Sequence, residues 1–265
     1  MIQTPNTFIL NTTLNMAETT TATTAAPMSA ETQTKTPYRQ IRALYDDETI
    51  TVYQAYNAEI ASAAVAAQKL HASRLFRPTR MTWIKPSWTW MLYRAGYSYK
   101  DPGQERILAL RMRHADFVGL LERAVLTHTS ANVGGRSDTE GETEGTDGSE
   151  EKAGKAGKRH GRNPEKKGPQ VKVQWDPERS VRIGRLDYRS IQIGIPAAIS
   201  PEWTEKWIVS IGDVTDRARE LKRVLDERKN VTVAELVEMG LVPVERPFEV
   251  SEDLQKSLRM DVTKD

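Results

Sequence analysis

Residues 80–96, RMTWIKPSWTWMLYRAG, hold the side chains best suited to chemistry in this chain. Three of its six tryptophans, Trp83, Trp88 and Trp90, fall here, interleaved with Arg80, Lys85 and Arg94. Indole rings stack on planar ligands, and lysine and arginine bind phosphate or carboxylate. The block therefore nominates a site for an anionic, ring-bearing ligand. The spacing predicts a helix opened by Pro86 and Ser87 and ended by Gly96. Trp88, Met91, Leu92 and Ala95 share one face of that helix, and Trp90, Arg94 and Tyr97 another. The first face reads as core. The second is either a surface cation–π pair, worth about 0.5–2 kcal/mol, or a binding face. Lys85 and Arg94 would then join the free amides and dipole of the helix N-terminus in holding an anion.

Other polar residues are candidates to join them. Glu105 enters a strand and could act as general acid or base, or as a salt-bridge partner. Gln192, within RSIQIGI, is a polar residue on an apolar strand and needs hydrogen-bond partners. Tyr53 and Gln54 point to opposite sides of another strand, so one of the two is expected to be buried. Arg42 and Arg80 extend the cationic set. The resulting expectation places Arg42, Tyr53, Arg80, Lys85, Trp90 and Arg94 at the ligand, with Glu105 and Gln192 orienting the reacting group. Asp176, in WDPER, reads first as the cap of a tight turn, with a catalytic role as the lesser alternative.

The elements that must position these residues come from hydrophobic periodicity. Strands are expected around Ile41–Tyr45, Thr49–Tyr56, Met81–Ile84, Arg106–Met112, Val171–Trp175, Arg189–Ile195 and Ile208–Ile211. The first two are expected to form a hairpin across Asp46-Asp47-Glu48. Helices are expected after the cap Asn57, over 116–126, from Ser200-Pro201, from Thr215 to about Arg228, and after the capping box Thr232/Glu235. Strands and helices mix without a βαβ period, which predicts an α+β fold with a mixed, largely antiparallel sheet and flanking helices. Residues 1–37 are Thr- and Ala-rich, and 129–170 pass from an acidic to a basic block. Both read as disordered, because they carry too little apolar surface to offset ordering entropy. The expected organisation is a tail (1–37), a single domain (38–228) interrupted by the 129–170 insertion, and a helical C-terminal extension (229–265). Met16 is a second candidate start.

Composition excludes several classes. There are no cysteines, so disulfides, thiolate metal sites and cysteine nucleophiles are out. The four histidines are far apart, without metal-ligand spacing, so no metal site is expected. There is no nucleophile elbow and no Gly-rich phosphate loop. No apolar run approaches the ~20 residues needed to span a bilayer, and neither a signal nor a transit peptide is recognised, so a cytoplasmic or nuclear location is expected. The net charge of +2 neither demands nor excludes nucleic acid. The basic half of the insertion, KAGKAGKRHGRNPEKK, is a candidate contact for nucleic acid or an import receptor, or a solubilising linker.

The blocks IRALYDDETITVYQAYNAEIA, RMTWIKPSWTWMLYRAGY, GQERILAL, VQWDPER and YRSIQIGI resemble, in that order, the domain-of-unknown-function family 4291 of bacteria and fungi. The resemblance runs from about Tyr38 to Thr215, outside the insertion. It includes Thr82, Trp83, Lys85, Pro86, Ser87, Trp90, Met91 and Arg94; Trp88 and Ala95 depart mildly from the family pattern. The family name implies no activity. Some relatives carry RNA-helicase names, but this chain lacks the G-x-x-x-x-G-K-[ST] loop and a helicase-type acidic box. Three function classes follow from the residues. One is a nucleotide- or NAD-using enzyme, with only a fold-level analogy to ADP-ribosyltransferases. The others are a nucleic-acid-binding module and an interaction scaffold whose tryptophans are all core. An enzyme requires Lys85, Arg94 and a carboxylate in one concave pocket. Oligomeric state is not legible.

Overall fold

The computed structural model of the chain describes residues 36–127 and 170–263. The expectations for nearly all of the 1–37 tail and the 129–170 insertion fall outside the described residues. In chain order the first elements are β1 (Arg42–Ala43), β2 (Thr49–Tyr56), α1 (Ala58–Ala67), β3 (Thr82–Ile84) and α2 (Trp88–Ala95). Then come β4 (Arg106–Arg113), α3 (His114–Glu122), β5 (Ala124–Leu126), β6 (Val171–Arg179) and β7 (Arg185–Ile195). The chain closes with α4 (Ser200–Glu202), β8 (Ile208–Asp213), α5 (Thr215–Glu227), α6 (Val233–Glu238), β9 (Arg246–Pro247) and α7 (Glu252–Ser257). This is an α+β architecture. Among the described residues no helix is long and apolar enough to cross a membrane.

The strands form two main sheets. One has the order β2-β4-β8 and is antiparallel throughout. The other has the order β3-β7-β6-β5, antiparallel except for the β5–β6 pair. They are spliced at one point. The Tyr53 N–H donates to the Lys85 carbonyl at 2.6 Å, and the Lys85 N–H donates to the Tyr53 carbonyl at 3.1 Å. Lys85 directly follows β3, and Pro86, which has no N–H to donate, follows Lys85.

Strand β2 runs between two apolar cores. Ile50 and Val52 face one, with Leu108, Leu110 and Met112 from β4 and Ile191, Ile193 and Ile195 from β7. Tyr53 faces the other, with Trp88, Met91 and Leu92 from α2 and Ala218 and Leu221 from α5. The expectation that only one of Tyr53 and Gln54 is buried is therefore corrected: Tyr53 is 1 % and Gln54 7 % exposed. A strand covered on both faces buries both side-chain sets. The expected hairpin across Asp46-Asp47-Glu48 forms at its turn, where Tyr45 bridges Ile50 antiparallel, the Asp46 N–H donates to the Thr49 carbonyl at 3.0 Å and the Thr51 N–H to the Leu44 carbonyl at 2.9 Å. Beyond the turn it does not continue: β1 pairs with β9, about two hundred residues away. Arg42 reinforces that pairing by donating to the Glu245 carbonyl at 2.8 Å.

Helix α2 is fixed at both ends. The Ser87 hydroxyl accepts from Trp90 N at 3.1 Å, and the Glu245 carboxyl accepts from Trp88 N at 2.6 Å. The Thr89 hydroxyl donates to Glu178 at 3.2 Å. Gly96 ends the helix at φ +55°, in the left-handed region, with its N–H on the Leu92 and Tyr93 carbonyls. The amides and dipole expected to receive a ligand anion are thus engaged by the protein's own oxygens. Trp88, Met91, Leu92 and Ala95 are buried as their spacing predicts.

The region after residue 228 is more than a helical extension. It contributes β9, the Glu245 cap, and Leu254 and Leu258 to the first core. The Trp175 indole donates to the Leu258 carbonyl at 2.9 Å, tying α7 to the back of β6.

The Glu245 residue is half-buried, but its carboxyl is enclosed. Burial raises its pKa from the usual 4.5 to about 8, with Glu178 nearby adding to the rise. The folded state therefore holds a proton that the unfolded chain releases near its lower pKa. This contribution to stability is complete below about pH 4.5 and lost as pH climbs through about 8. Thermal melts should show stability falling between pH 6 and pH 9, with about 2–3 kcal/mol of the fall due to Glu245. Glu245→Gln, which keeps the acceptor for Trp88 N–H, should flatten that slope. An unchanged slope would rule out a proton held at Glu245.

Candidate functional site

The four-stranded sheet shows why a cleft exists at the splice. Along β6, Val171, Val173 and Trp175 face the first core, so Gln174 and Asp176 face the other way. Along β7, Ile191, Ile193 and Ile195 face the core, so Ser190, Gln192 and Gly194 share the opposite face. Register then aligns them in rungs: Gln174 is opposite Gln192, and Asp176 opposite Ser190. This polar face, with α2 and the end of β2, encloses a cleft of about 580 Å³.

The expected turn at Asp176-Pro177-Glu178 is corrected. Strand β6 runs through these residues to Arg179, and the chain turns at 180–184. Pro177 is tolerated because the register shifts between Pro177 and Arg179, and proline inside a sheet is confined to such irregularities or edges. Asp176 is thereby a cleft residue and not a turn cap.

Three cations reach the cleft near Asp176. Lys85 is 5 % exposed, and its ammonium lies 5.0 Å from the Trp90 ring centroid. Arg94 extends from α2 into the cleft lining. Arg179 lies 3.6 Å over the ring of Tyr93, a second wall residue. Burial pushes the Asp176 carboxyl above its usual range, against the pull of Lys85, Arg189, Arg179 and Arg94. Behind it, burial also raises the Glu178 carboxyl, opposed by the Arg179 N–H and by hydroxyls that include Thr89.

Several cleft-lining polar atoms are buried without a protein partner: Gln54 Oε1, Trp90 Nε1, Asp176 Oδ2 and Arg179 Nε. Gln54 Nε2 meets the Thr82 hydroxyl, so one end of its amide is held and the other remains. Buried polar atoms are ordinarily hydrogen-bonded. These are four of fourteen such exceptions among the described residues, and water or a ligand entering the cavity can bond them.

Of the residues expected at the site, Lys85, Trp90, Arg94 and Gln192 line the cleft together. The other four lie elsewhere. Tyr53 packs into the second core with its ring centroid 5.2 Å from that of Trp88. Arg42 ties the first strand to Glu245, and Arg80 is exposed in the turn before β3. Glu105 accepts from the Ala58 N–H at 2.9 Å and so caps α1, which Asn57 also caps. The carboxylate in the cleft is Asp176.

The cleft residues missing from the set expected at the ligand include Gln174, Asp176, Arg179, Trp83 and Tyr93, although Trp83 belongs to the nominated block. The signal for two of them was the alternation of KVQWDPER, read through Pro177 instead of stopping at Trp175. Among the described residues no group of three or more His, Asp or Glu side chains is arranged to hold a metal ion.

The model of one protein family, Domain of unknown function (DUF4291), matches residues 40–248. The chain belongs to this family. The matched span contains every cleft residue and Glu245, and so extends beyond the Thr215 boundary expected from the sequence blocks. A search of curated proteins found no match.

The placement of Glu105 has a measurable consequence. Glu105→Ala should cost about 1 kcal/mol of stability in urea unfolding, as loss of a helix-capping acceptor does. It should leave affinity for any cleft ligand within twofold. A large affinity loss at unchanged stability would return Glu105 to the site.

Proposed function

We propose that the cleft binds a small phosphate-bearing ligand, a nucleotide or a dinucleotide such as NAD, and that the family member acts on it as an enzyme. The observation that carries this reading is the meeting of Lys85, Arg94 and Arg179 with Asp176, the one cleft-lining carboxylate among the described residues, in one concave site. Lys100 also lines it, so among the described residues its charged side chains comprise four cations and one anion. That excess suits a ligand with two or more negative charges. Lys85 supplies a largely desolvated ammonium, and its shelter from bulk water strengthens its attraction for an anion.

Asp176 is the residue best suited to move a proton. Its raised pKa keeps it nearer neutrality than an exposed aspartate, as general acid–base catalysis requires. In this reading the arginines hold the phosphate oxygens, and Asp176 exchanges a proton with a hydroxyl or water beside them. Gln192 and Gln174 orient the reacting group. The role assigned to Glu105 from sequence thus passes to Asp176.

The concavity of the site favours a small ligand over a nucleic-acid strand laid on an open surface. The convergence of charged side chains in one concave site favours it over a scaffold, whose Trp block would be core throughout. A cytoplasmic or nuclear location suits such a ligand.

Isothermal titration of the full chain with ATP, NAD, pyrophosphate and tripolyphosphate tests this. At least one is expected to bind with a dissociation constant below about 1 mM, equivalent to about −4.1 kcal/mol. Arg94→Ala and Arg179→Ala should each weaken binding by tenfold or more, about 1.4 kcal/mol, while melting temperatures change little. An oligonucleotide that bound while all four small ligands failed would favour the nucleic-acid module. Binding indifferent to both arginines would remove the anion site from this cleft.

A further inference from the structure

The floor of the cleft contains a feature that cations and acid–base chemistry do not require. Trp83 on β3 stands opposite Gly194 on β7. A Cβ placed at Gly194 would lie 3.0 Å from both Cη2 and Cζ3 of the Trp83 indole. Gly194 is not held in the left-handed region, so backbone conformation does not call for a glycine there. What calls for it is space: the indole lies against the bare backbone of β7. The Trp83 residue remains half-buried and lines the cleft.

The next rung of the same sheet face is a pair of amides. Gln192 Nε2 donates to Gln174 Oε1 at 2.5 Å. A glutamine amide has two donor hydrogens and two acceptor lone pairs, so this pair keeps capacity for further bonds. Gln54, 7 % exposed, adds an amide whose oxygen has no partner. A flat aromatic floor thus adjoins three amides, with Lys85, Arg94 and Arg179 lining the same cavity.

We infer that Trp83 and Gln54, Gln174 and Gln192 form a base-recognition subsite, so that the ligand is a nucleotide and not a bare polyphosphate or phosphorylated chain. The base stacks on Trp83, and its hydrogen-bonding edge meets the amides, which offer donor and acceptor side by side as a base edge does. The phosphates then reach the cations. Trp83 is better placed to stack than Trp90 and Tyr53, the two rings expected at the ligand. Tyr53 is sealed in the core, and one face of Trp90 carries Lys85. This inference rests on the phosphate-ligand reading above and adds the ring-binding half of the site.

Paired titrations separate the two ideas. ATP is compared with tripolyphosphate, and NAD with pyrophosphate, on the full chain. At least one nucleotide should bind tenfold or more tightly than its matched polyphosphate. Trp83→Ala and Gly194→Val should remove that advantage and leave polyphosphate affinity within twofold. Trp83→Phe, which keeps a ring, should retain most of it. Should Trp83→Ala fail to fold, Gly194→Val and Trp83→Phe still decide the question, and quenching of tryptophan fluorescence by ATP should drop in Trp83→Phe. Arg94→Ala should weaken nucleotide and polyphosphate alike. Equal affinity for nucleotide and polyphosphate, or an advantage that survives Gly194→Val, overturns the base subsite while leaving the anion site standing. Absence of binding by all four ligands overturns both.

Discussion

The two backbone hydrogen bonds between Tyr53 and Lys85 are the constraint on which the site depends. They are the point at which β2, the edge strand of one sheet, meets the chain leaving the other. Lys85 can form them only because β3 delivers it alongside β2 before Pro86 turns the chain into α2. The same residue therefore splices the sheets, begins the approach to the helix and places its ammonium in the cleft. A free lysine on a surface loop would be cheap to hold but poorly directed. Lys85, fixed by its own backbone and covered by Trp90, is positioned before any ligand arrives. Burying an ammonium is costly unless opposite charge or a ring face compensates, and the Trp90 ring and the nearby Asp176 supply both.

Charge is layered across α2. On the cleft side stand Lys85, Arg94 and Arg179. At the helix N-terminus stand two carboxyls, Glu178 and Glu245, both raised by burial and each serving as a hydrogen-bond acceptor. A helix N-terminus with free amides would compete with the cleft cations for an anionic ligand. Filling it from within directs the anion to one side. The arrangement also links the far end of the chain to the site, since Glu245 is held by the β1–β9 pair and by Arg42.

Much of α2 was legible because local rules govern it. Its cap, its left-handed glycine and its apolar face follow from spacing within a dozen residues, as does the nomination of Lys85, Trp90 and Arg94. The α+β class followed from the order of periodic segments. Failures came where distant register decides. Glu105 looked catalytic because it preceded a strand near the Trp block, yet the α1 amide it accepts from lies 47 residues away. Tyr53 looked like a ligand contact because nothing in TITVYQAY reveals that both faces of β2 are covered. Pro177 hid the continuation of β6, and with it the polar face on which Asp176 stands. Gly194 carries no local signal, since its role exists only once Trp83 is placed across the ladder.

The polar face of β6 and β7 is harder to explain as architecture than as function. Its opposite face is filled by Val171, Val173, Trp175 and the three isoleucines of β7, as a sheet against a core should be. A sheet face next to α2 could have been sealed with similar residues, gaining about 25 cal/mol for each Å² of apolar surface removed from water. Instead it carries two glutamines, an aspartate, a serine and a glycine at alternate positions, with unpaired buried atoms on Asp176 and Ser190. Each unpaired atom costs about 1–3 kcal/mol relative to a bonded one. Such a face is stable only because the rest of the molecule has two well-filled cores to offset it. The lost bonds are recovered when a ligand with matching donors, acceptors and charge enters, so the instability of the empty cleft becomes part of its affinity.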